Sequence, residues 1–290
     1  MTTLDNLALM DSWLNDMQDH VCVFEPNMQS IFNIYREEAL FGRRYIADDL
    51  TQLSKGATIL EVGAGSLLLS CQLVREGFKV VALEPVGDGF SHFDRLRELV
   101  FEIAKVNDCV PEILNQRAED LSITNRFDYA FSINVMEHVT DVKEVITRVI
   151  DSLHDNACYH FTCPNYLFPY EPHFNIPTLF SKSLTENVFK KKIYGSKLPD
   201  PIGTWRSLNW ISVTQIRKII RQMPKLSVVF NRKFLVSTLE RVTYDIQFSA
   251  RRPKWVRAFI LALLYLRLHC LVCLVPVAMQ PIIDCTLTRR

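Results

Sequence analysis

Ala57-Thr58-Ile59-Leu60-Glu61-Val62-Gly63-Ala64-Gly65-Ser66 is the stretch on which the fold turns. An apolar run with β-branched residues ends in two closely spaced glycines. That pattern reads as a buried strand followed by a tight turn. Leu67 to Glu76 then reads as a helix, ended by Gly77. Glycines let a ligand approach the backbone, and the start of the next helix offers N–H groups to it. Glu61 sits inside the apolar run, where a carboxylate needs a partner.

Downstream the pattern repeats. Lys79–Pro85, Val110–Leu114, Phe127–Val135, Ala157–Cys163 and Leu226–Phe234 read as strands. Phe93–Val106, Asp141–Leu153 and Val213–Met223 read as helices. Strands alternating with helices at this spacing imply βαβ units and a parallel sheet covered on both faces. Ile282–Thr288 alternates loosely and is a candidate seventh strand, whereas 236–250 is ambiguous.

The regions outside this rhythm set the domain plan. Residues 1–53 read as an amphipathic helical cap, with Pro26 separating two helices. Residues 54–165 form the α/β core, and 211–250 complete it. Between them, 166–210 is predicted as a substrate-side insertion without regular structure. Six of the chain's 13 prolines lie between 164 and 201, and a loop of that length is usually functional. Residues 251–290 hold an apolar segment and the candidate last strand.

Within Ala258–Val275, 16 of 18 residues are apolar, interrupted by Arg267 and His269. Arg251, Arg252, Lys254, Trp255 and Arg257 precede it. Basic residues and a Trp beside an apolar run suggest a membrane interface. A full span is disfavoured, because a central Arg costs about 2.5–3.5 kcal/mol on insertion scales. A helix or helical hairpin broken at Pro276 is expected instead, with peripheral membrane contact through 255–279.

Composition narrows the classes. The 290 residues carry 33 Lys+Arg against 32 Asp+Glu, a net charge of +1. Without a basic excess, nucleic acid is not the expected partner. Apolar residues at 48% and charged residues at 22% describe a globular chain. The eight cysteines are scattered, which predicts reduced thiols in the cytoplasm. Cys270 and Cys273 form a lone C-x-x-C with no second pair, so no metal site is expected. The N-terminus lacks a basic region followed by a long apolar stretch, so a secretory leader is not expected. The expected location is the cytoplasm, including the cytoplasmic membrane face.

Glu84 lies 21 residues after Gly63, where an acid can accept hydrogen bonds from a ribose diol. A dinucleotide and S-adenosylmethionine both suit that geometry. The dinucleotide pattern needs a third glycine, and Leu68 occupies its place. Ile59-Leu60-Glu61-Val62-Gly63-Ala64-Gly65 resembles the first motif of class I S-adenosylmethionine-dependent methyltransferases. Arg117-Ala118-Glu119-Asp120-Leu121 resembles the loop after their third strand. Phe127-Asp128 with Asn134-Val135-Met136-Glu137-His138-Val139 resembles the fourth-strand motif of the type 11/12 subgroup, which includes ubiquinone-pathway O-methyltransferases. The resemblance covers residues 57–165. It implies an α/β, Rossmann-like seven-stranded sheet and S-adenosylmethionine as cofactor. By the same resemblance, Glu61, Gly63, Ala64 and Gly65 face the methionine part and Glu84 holds the ribose. Ala118 and Glu119 lie along the adenine, and Asn134 lies beside the cofactor by its backbone. The family's third glycine is replaced at Ser66-Leu67, which would tighten the loop.

A hydroxyl nucleophile also wants a base. His138, His173 and Glu171 are the candidates, and Glu137 is expected to stabilise the start of its helix. Phe41-Gly42-Arg43-Arg44-Tyr45 could put an arginine over the pocket. Lys190, Lys191, Lys192 and Lys197 could meet an anionic substrate. The expected reaction is methyl transfer to a hydroxyl of a glycan precursor or lipid-like small molecule. The alternatives are a non-catalytic methyltransferase-like module at a membrane, and a nucleotide-cofactor oxidoreductase.

Overall fold

Three helices precede the first strand: α1 (Thr3–Phe24), α2 (Gln29–Tyr45) and the single turn α3 (Ala47–Leu50). Pro26 opens a short 3-10 turn between the first two, because its ring fixes φ and it lacks a donor. There follow β1 (Thr58–Val62), α4 (Leu68–Arg75), β2 (Lys79–Leu83), α5 (Ser91–Val106), β3 (Glu112–Leu114), β4 (Phe127–Ile133), α6 (Val142–Ser152) and β5 (Leu153–Pro164). Then come α7 (Lys182–Tyr194), α8 (Pro201–Ser207), α9 (Val213–Arg221), β6 (Leu226–Phe230), α10 (Phe234–Glu240), α11 (Ile246–Ala250), α12 (Lys254–Tyr265) and β7 (Ile282–Arg289). The computed structural model describes residues 3–85, 91–198, 200–250 and 252–289.

The strands form one seven-stranded sheet in the order β3-β2-β1-β4-β5-β7-β6. β1 pairs in parallel with β2 and β4, setting Glu61 beside Ala82 and Phe131. Four of the five β1 residues are buried, as expected of a strand covered on both faces. Chain order reverses between β1 and β4. In open α/β sheets ligands bind at such a switch point, beyond the carboxyl ends of the strands. The candidate seventh strand is present: β7 runs antiparallel to β6, pairing Ser227 with Thr288.

The chain divides into two compact units. The first comprises Met1–Ile133 and Glu144–Tyr159. Its helices α1 and α2 pack on α4. Trp13 is fully buried, and its Nε1 donates to the Leu68 carbonyl at 3.2 Å. Gly42 allows α2 its close approach: a Cβ there would stand 2.8 Å from Leu69 Cδ2 and 2.9 Å from Ile133 Cδ1. Of the two neighbouring arginines on α2, Arg44 is exposed and Arg43 is turned inward. Arg43 is buried and grips Glu76 with two parallel hydrogen bonds of 2.8 Å. Facing the core on α2, it needed an internal carboxylate, and α4 supplies one at its C-terminal end.

The second unit comprises Asn134–Lys143 and His160–Arg290. Its buried residues include Phe174, Ile193, Trp205, Ile216 and Leu287. Asn165, just beyond β5, joins distant segments of this unit. Its Nδ2 donates to the Gln280 carbonyl at 2.7 Å and its Oδ1 accepts from Leu167 N at 3.2 Å.

Two expectations are corrected here. The insertion is not without regular structure, because α7 and α8 lie in it. Ser181 caps α7 by accepting from Leu184 N, and Asp200 caps α8 by accepting from Gly203 N. The apolar segment breaks at Arg267 rather than at Pro276. Arg267 adopts a left-handed backbone (φ 54) and ends α12, while Pro276 merely precedes the 3-10 turn Val277–Met279. The ambiguous stretch 236–250 is largely helical, in α10 and α11. Among the described residues no single helix is long and apolar enough to cross a membrane. Lys254–Tyr265 and Leu268–Leu274 together meet that test as a pair bent by 93°. Trp255, Phe259, Tyr265, Leu271 and Leu274 on this pair are exposed. Arg251, from the expected basic cluster, lies outside the described residues.

Candidate active site

The turn after β1 belongs to the first unit. Gly63 (φ 76) and Gly65 (φ 50) both take the left-handed region, which glycine enters without a Cβ penalty. Gly63 N–H donates to the Leu83 carbonyl at 2.8 Å, pinning the turn to the end of β2. Gly65 N–H donates to the Glu84 carboxylate at 2.9 Å. Leu67, where the family's third glycine is lost, is also left-handed, at φ 66. That backbone costs a leucine ~1–2 kcal/mol. It is held there because the Leu67 side chain is fully buried.

Two carboxyl groups converge on this turn. Glu61 is buried and accepts from the Ser70 hydroxyl. Burial pushes its pKa up to about 8; the Ser70 hydrogen bond opposes this and the nearby Glu84 charge adds to it. Burial also raises Glu84, against the lowering effect of the Gly65 N–H. Ala118 is buried and opens the 3-10 turn Ala118–Asp120, and Glu119 pairs with Arg117 at 3.3 Å. Asn134, the first residue of the second unit, has φ 55, and its N–H donates to the Thr162 carbonyl at 2.9 Å. A left-handed residue immediately after β4 turns the chain sharply at the strand's carboxyl end.

A second set of groups gathers within the second unit. Glu171 is fully buried and accepts from His173 N at 3.1 Å, Phe174 N at 2.7 Å and Tyr166 Oη at 3.3 Å. Its Oε1 also lies 2.6 Å from His173 Nδ1. Glu171 thus orients His173. Burial and this carboxylate drive the Tyr166 phenol far above its usual range. His138 Nδ1 lies 2.7 Å from Ser207 Oγ, which itself donates to the Thr204 carbonyl. The His138 and His173 rings meet edge to face, with centroids 5.4 Å apart. Burial lowers His138 to about 3, with His173 and Lys182 contributing. Burial thus favours the neutral imidazole of His138.

Glu137 also departs from expectation. It does not sit at a helix start: α6 begins at Val142, and Glu137 is folded inward on the turn before it. Asn209 holds that turn, donating through Nδ2 to the Met136 and Val139 carbonyls at 2.7 Å each. Burial pushes Glu137 up to about 7, with His173 opposing and Glu171 adding. Asn209 and Ser207 escaped the sequence reading, because they act across about 70 residues with no local signature. Lys190, Lys191, Lys192 and Lys197 are exposed, and Lys192 Nζ donates to the Asn175 carbonyl at 2.6 Å.

Comparison with known proteins adds to this geometry. Residues 35–221 match the family described as methyltransferase domain. A protein of Mycobacterium tuberculosis (strain H37Rv), described as uncharacterized, is 45% identical over 284 residues, 98% of this chain and 96% of that protein. A ubiquinone biosynthesis O-methyltransferase of Rickettsia akari is a distant relative, 28% identical over 118 residues, 39% of this chain and 44% of that one. Among solved structures, phosphoethanolamine N-methyltransferase 2 of Haemonchus contortus, in complex with S-adenosyl-L-methionine, matches with a TM-score of 0.51 at 14% identity. The match covers 93% of this chain but only 58% of the worm enzyme. Geranyl diphosphate C-methyltransferase of Streptomyces coelicolor A3(2) matches at 0.50 and 10% identity, over 91% of this chain and 84% of that one. At these identities the two structures share the fold.

The donor set suits the family's cofactor. Glu61 and Glu84 are two carboxyl groups held above their usual range, chiefly by burial. S-adenosylmethionine brings a sulfonium, an amino group and a ribose diol. The glycine turn, the paired acids, the seven-stranded sheet and the family match agree: this chain belongs to the class I S-adenosylmethionine-dependent methyltransferases.

Proposed function

We propose that the chain transfers a methyl group from S-adenosylmethionine to a hydroxyl of a lipid-like or glycan-precursor small molecule. The observation that carries this reading is the His173 ring, oriented by buried Glu171 at 2.6 Å and set edge to face with His138. The cofactor supplies an electrophilic methyl on a positively charged sulfur. Glu61 and the Gly63–Gly65 turn hold its amino-acid end, and Glu84 holds its ribose. The acceptor hydroxyl oxygen would bond to the methyl carbon while its proton passes to Nε2 of His173, whose Nδ1 is held by Glu171. The C–S electron pair stays on sulfur. Orientation of this kind can account for ~7–11 kcal/mol of barrier reduction.

Two features favour a lipid-like acceptor. The bent pair Lys254–Tyr265 and Leu268–Leu274 exposes large apolar side chains, with Lys254 and Arg257 beside them. The exposed Lys190–Lys192 cluster suits an anionic headgroup or diphosphate. In this reading the chain works at a cytoplasmic membrane face, touching it through 255–279.

The test is transfer of labelled methyl from S-adenosylmethionine into fractionated cell extracts. The expected product partitions with lipids or polyprenyl-like material and keeps its label in mild base, as an ether does. His173→Ala should lose most of the transfer while binding S-adenosylhomocysteine normally. Label released by base as methanol would place the methyl on a carboxylate and overturn the hydroxyl reading.

A further inference from the structure

Glu137 is the least explained group in the second unit. Its carboxylate is fully buried, and among the described residues neither oxygen finds a hydrogen-bond partner beyond the residue's own amide. A buried carboxylate without donors is costly, and a fold retains one where something else neutralises it. One ligand atom from each of Glu137, His138 and His173 lies within 4.8 Å of the other two. His138 Nε2 stands 4.0 Å from Glu137 Oε1. Ligands bound to one ion at about 2.0–2.2 Å lie roughly 3–4 Å apart. The cluster therefore needs to close by only about an ångström.

The surroundings are already arranged for it. Ser207 Oγ donates to the Thr204 carbonyl at 2.9 Å, so the contact of 2.7 Å with His138 is donation by Nδ1–H. The Glu171 carboxylate likewise takes the Nδ1–H of His173 at 2.6 Å. Both rings are thereby set in the tautomer whose Nε2 carries the lone pair. Metal-binding histidines are held in this way, by a carboxylate or hydroxyl on the other nitrogen.

We infer that Glu137, His138 and His173 form a binding site for one divalent transition-metal ion. Two imidazoles and one carboxylate suit zinc, manganese, iron or cobalt, whereas magnesium and calcium prefer oxygen ligands. This proposal departs from the sequence expectation of no metal site. The inference deepens the proposed function and rests on its acceptor-side placement of His173. With the ion bound, Nε2 of His173 is a ligand and no longer a base; the ion would take over its role by polarising an acceptor hydroxyl or diol, whose proton then passes to water.

The test is a Co2+ titration of chelator-treated full-length protein, followed by visible absorption and thermal melting. Cys270 and Cys273 are replaced by Ser in a parallel series, so that thiols there cannot supply the signal. One equivalent should bind, with visible bands that lack a thiolate charge-transfer component, and the melting temperature should rise with Co2+. Glu137→Gln is nearly isosteric. It should weaken Co2+ binding at least tenfold, while the metal-free variant melts no lower than the parent because a buried charge is gone. Glu171→Gln should weaken binding about 10–100-fold through His173. Binding of S-adenosylhomocysteine reports that each variant is folded. Absence of binding at millimolar Co2+, or binding unchanged in Glu137→Gln, overturns the site. If Co2+ fails to bind but His173→Ala still abolishes transfer, the metal falls and the acceptor reading stands. If Co2+ binds as described but His173→Ala transfers normally, the metal stands and the acceptor reading falls.

Discussion

Binding of S-adenosylhomocysteine should tighten as pH rises toward about 8, and Glu61 is the cause. Burial holds its folded pKa at about 8 against an ordinary 4.5. Below about 8 the free protein therefore keeps a neutral acid under the glycine turn. A ligand amino group beside it favours the carboxylate, so binding expels a proton. Each pH unit below about 8 should weaken affinity by up to tenfold, or ~1.4 kcal/mol. From pH ~6 to ~8 the gain approaches a hundredfold and then flattens. Stability moves the opposite way. Across this window the native state holds a proton that the unfolded state has released, so stability falls as pH rises from about 4.5 to about 8. Glu84 and Glu137 are shifted in the same direction, so the diagnostic quantity is the difference between wild type and Glu61→Gln. Calorimetry at several pH values, in two buffers of different ionisation enthalpy, counts the proton directly. Glu61→Gln should bind without this pH slope. An equal slope in variant and wild type, or a flat wild-type profile, would refute the assignment.

Three further outcomes are expected. Arg43→Met leaves the Glu76 carboxylate buried without its partner, so chemical denaturation should show a loss of about 3–5 kcal/mol. Leu67→Gly relieves ~1–2 kcal/mol of backbone strain but removes a fully buried side chain worth ~2–5 kcal/mol. The same measurement should therefore report a net loss of up to about 4 kcal/mol, and a net gain would refute the assignment. Wild-type protein should sediment with anionic vesicles more than with neutral ones, and Trp255→Ser with Phe259→Ser should abolish the difference; equal sedimentation of both proteins would remove the membrane contact.

Legibility in the sequence followed the range of each interaction. The glycine turn, Glu84 and β7 were readable because a strand, a turn and a register leave local patterns. Which of Arg43 and Arg44 faces inward was not legible, because the partner of Arg43, Glu76, caps the end of another helix and only packing brings the two together. Glu137 was misread because its fate depends on Asn209, which folds the turn inward from 70 residues away. The helices α7 and α8 did leave local signals, the caps Ser181 and Asp200 with Pro201 after the latter. The surrounding prolines outweighed those signals. The break at Arg267 had none, since a left-handed arginine is set by its tertiary surroundings rather than by its type.

The most direct test of the central claim is calorimetric titration of the protein with S-adenosylhomocysteine, beside Glu84→Ala. The account predicts micromolar, one-to-one binding that weakens at least tenfold in the variant, since hydrogen bonds to a charged group contribute about 1.5–3 kcal/mol. Absence of binding by folded wild-type protein, or equal affinity in Glu84→Ala, would contradict it.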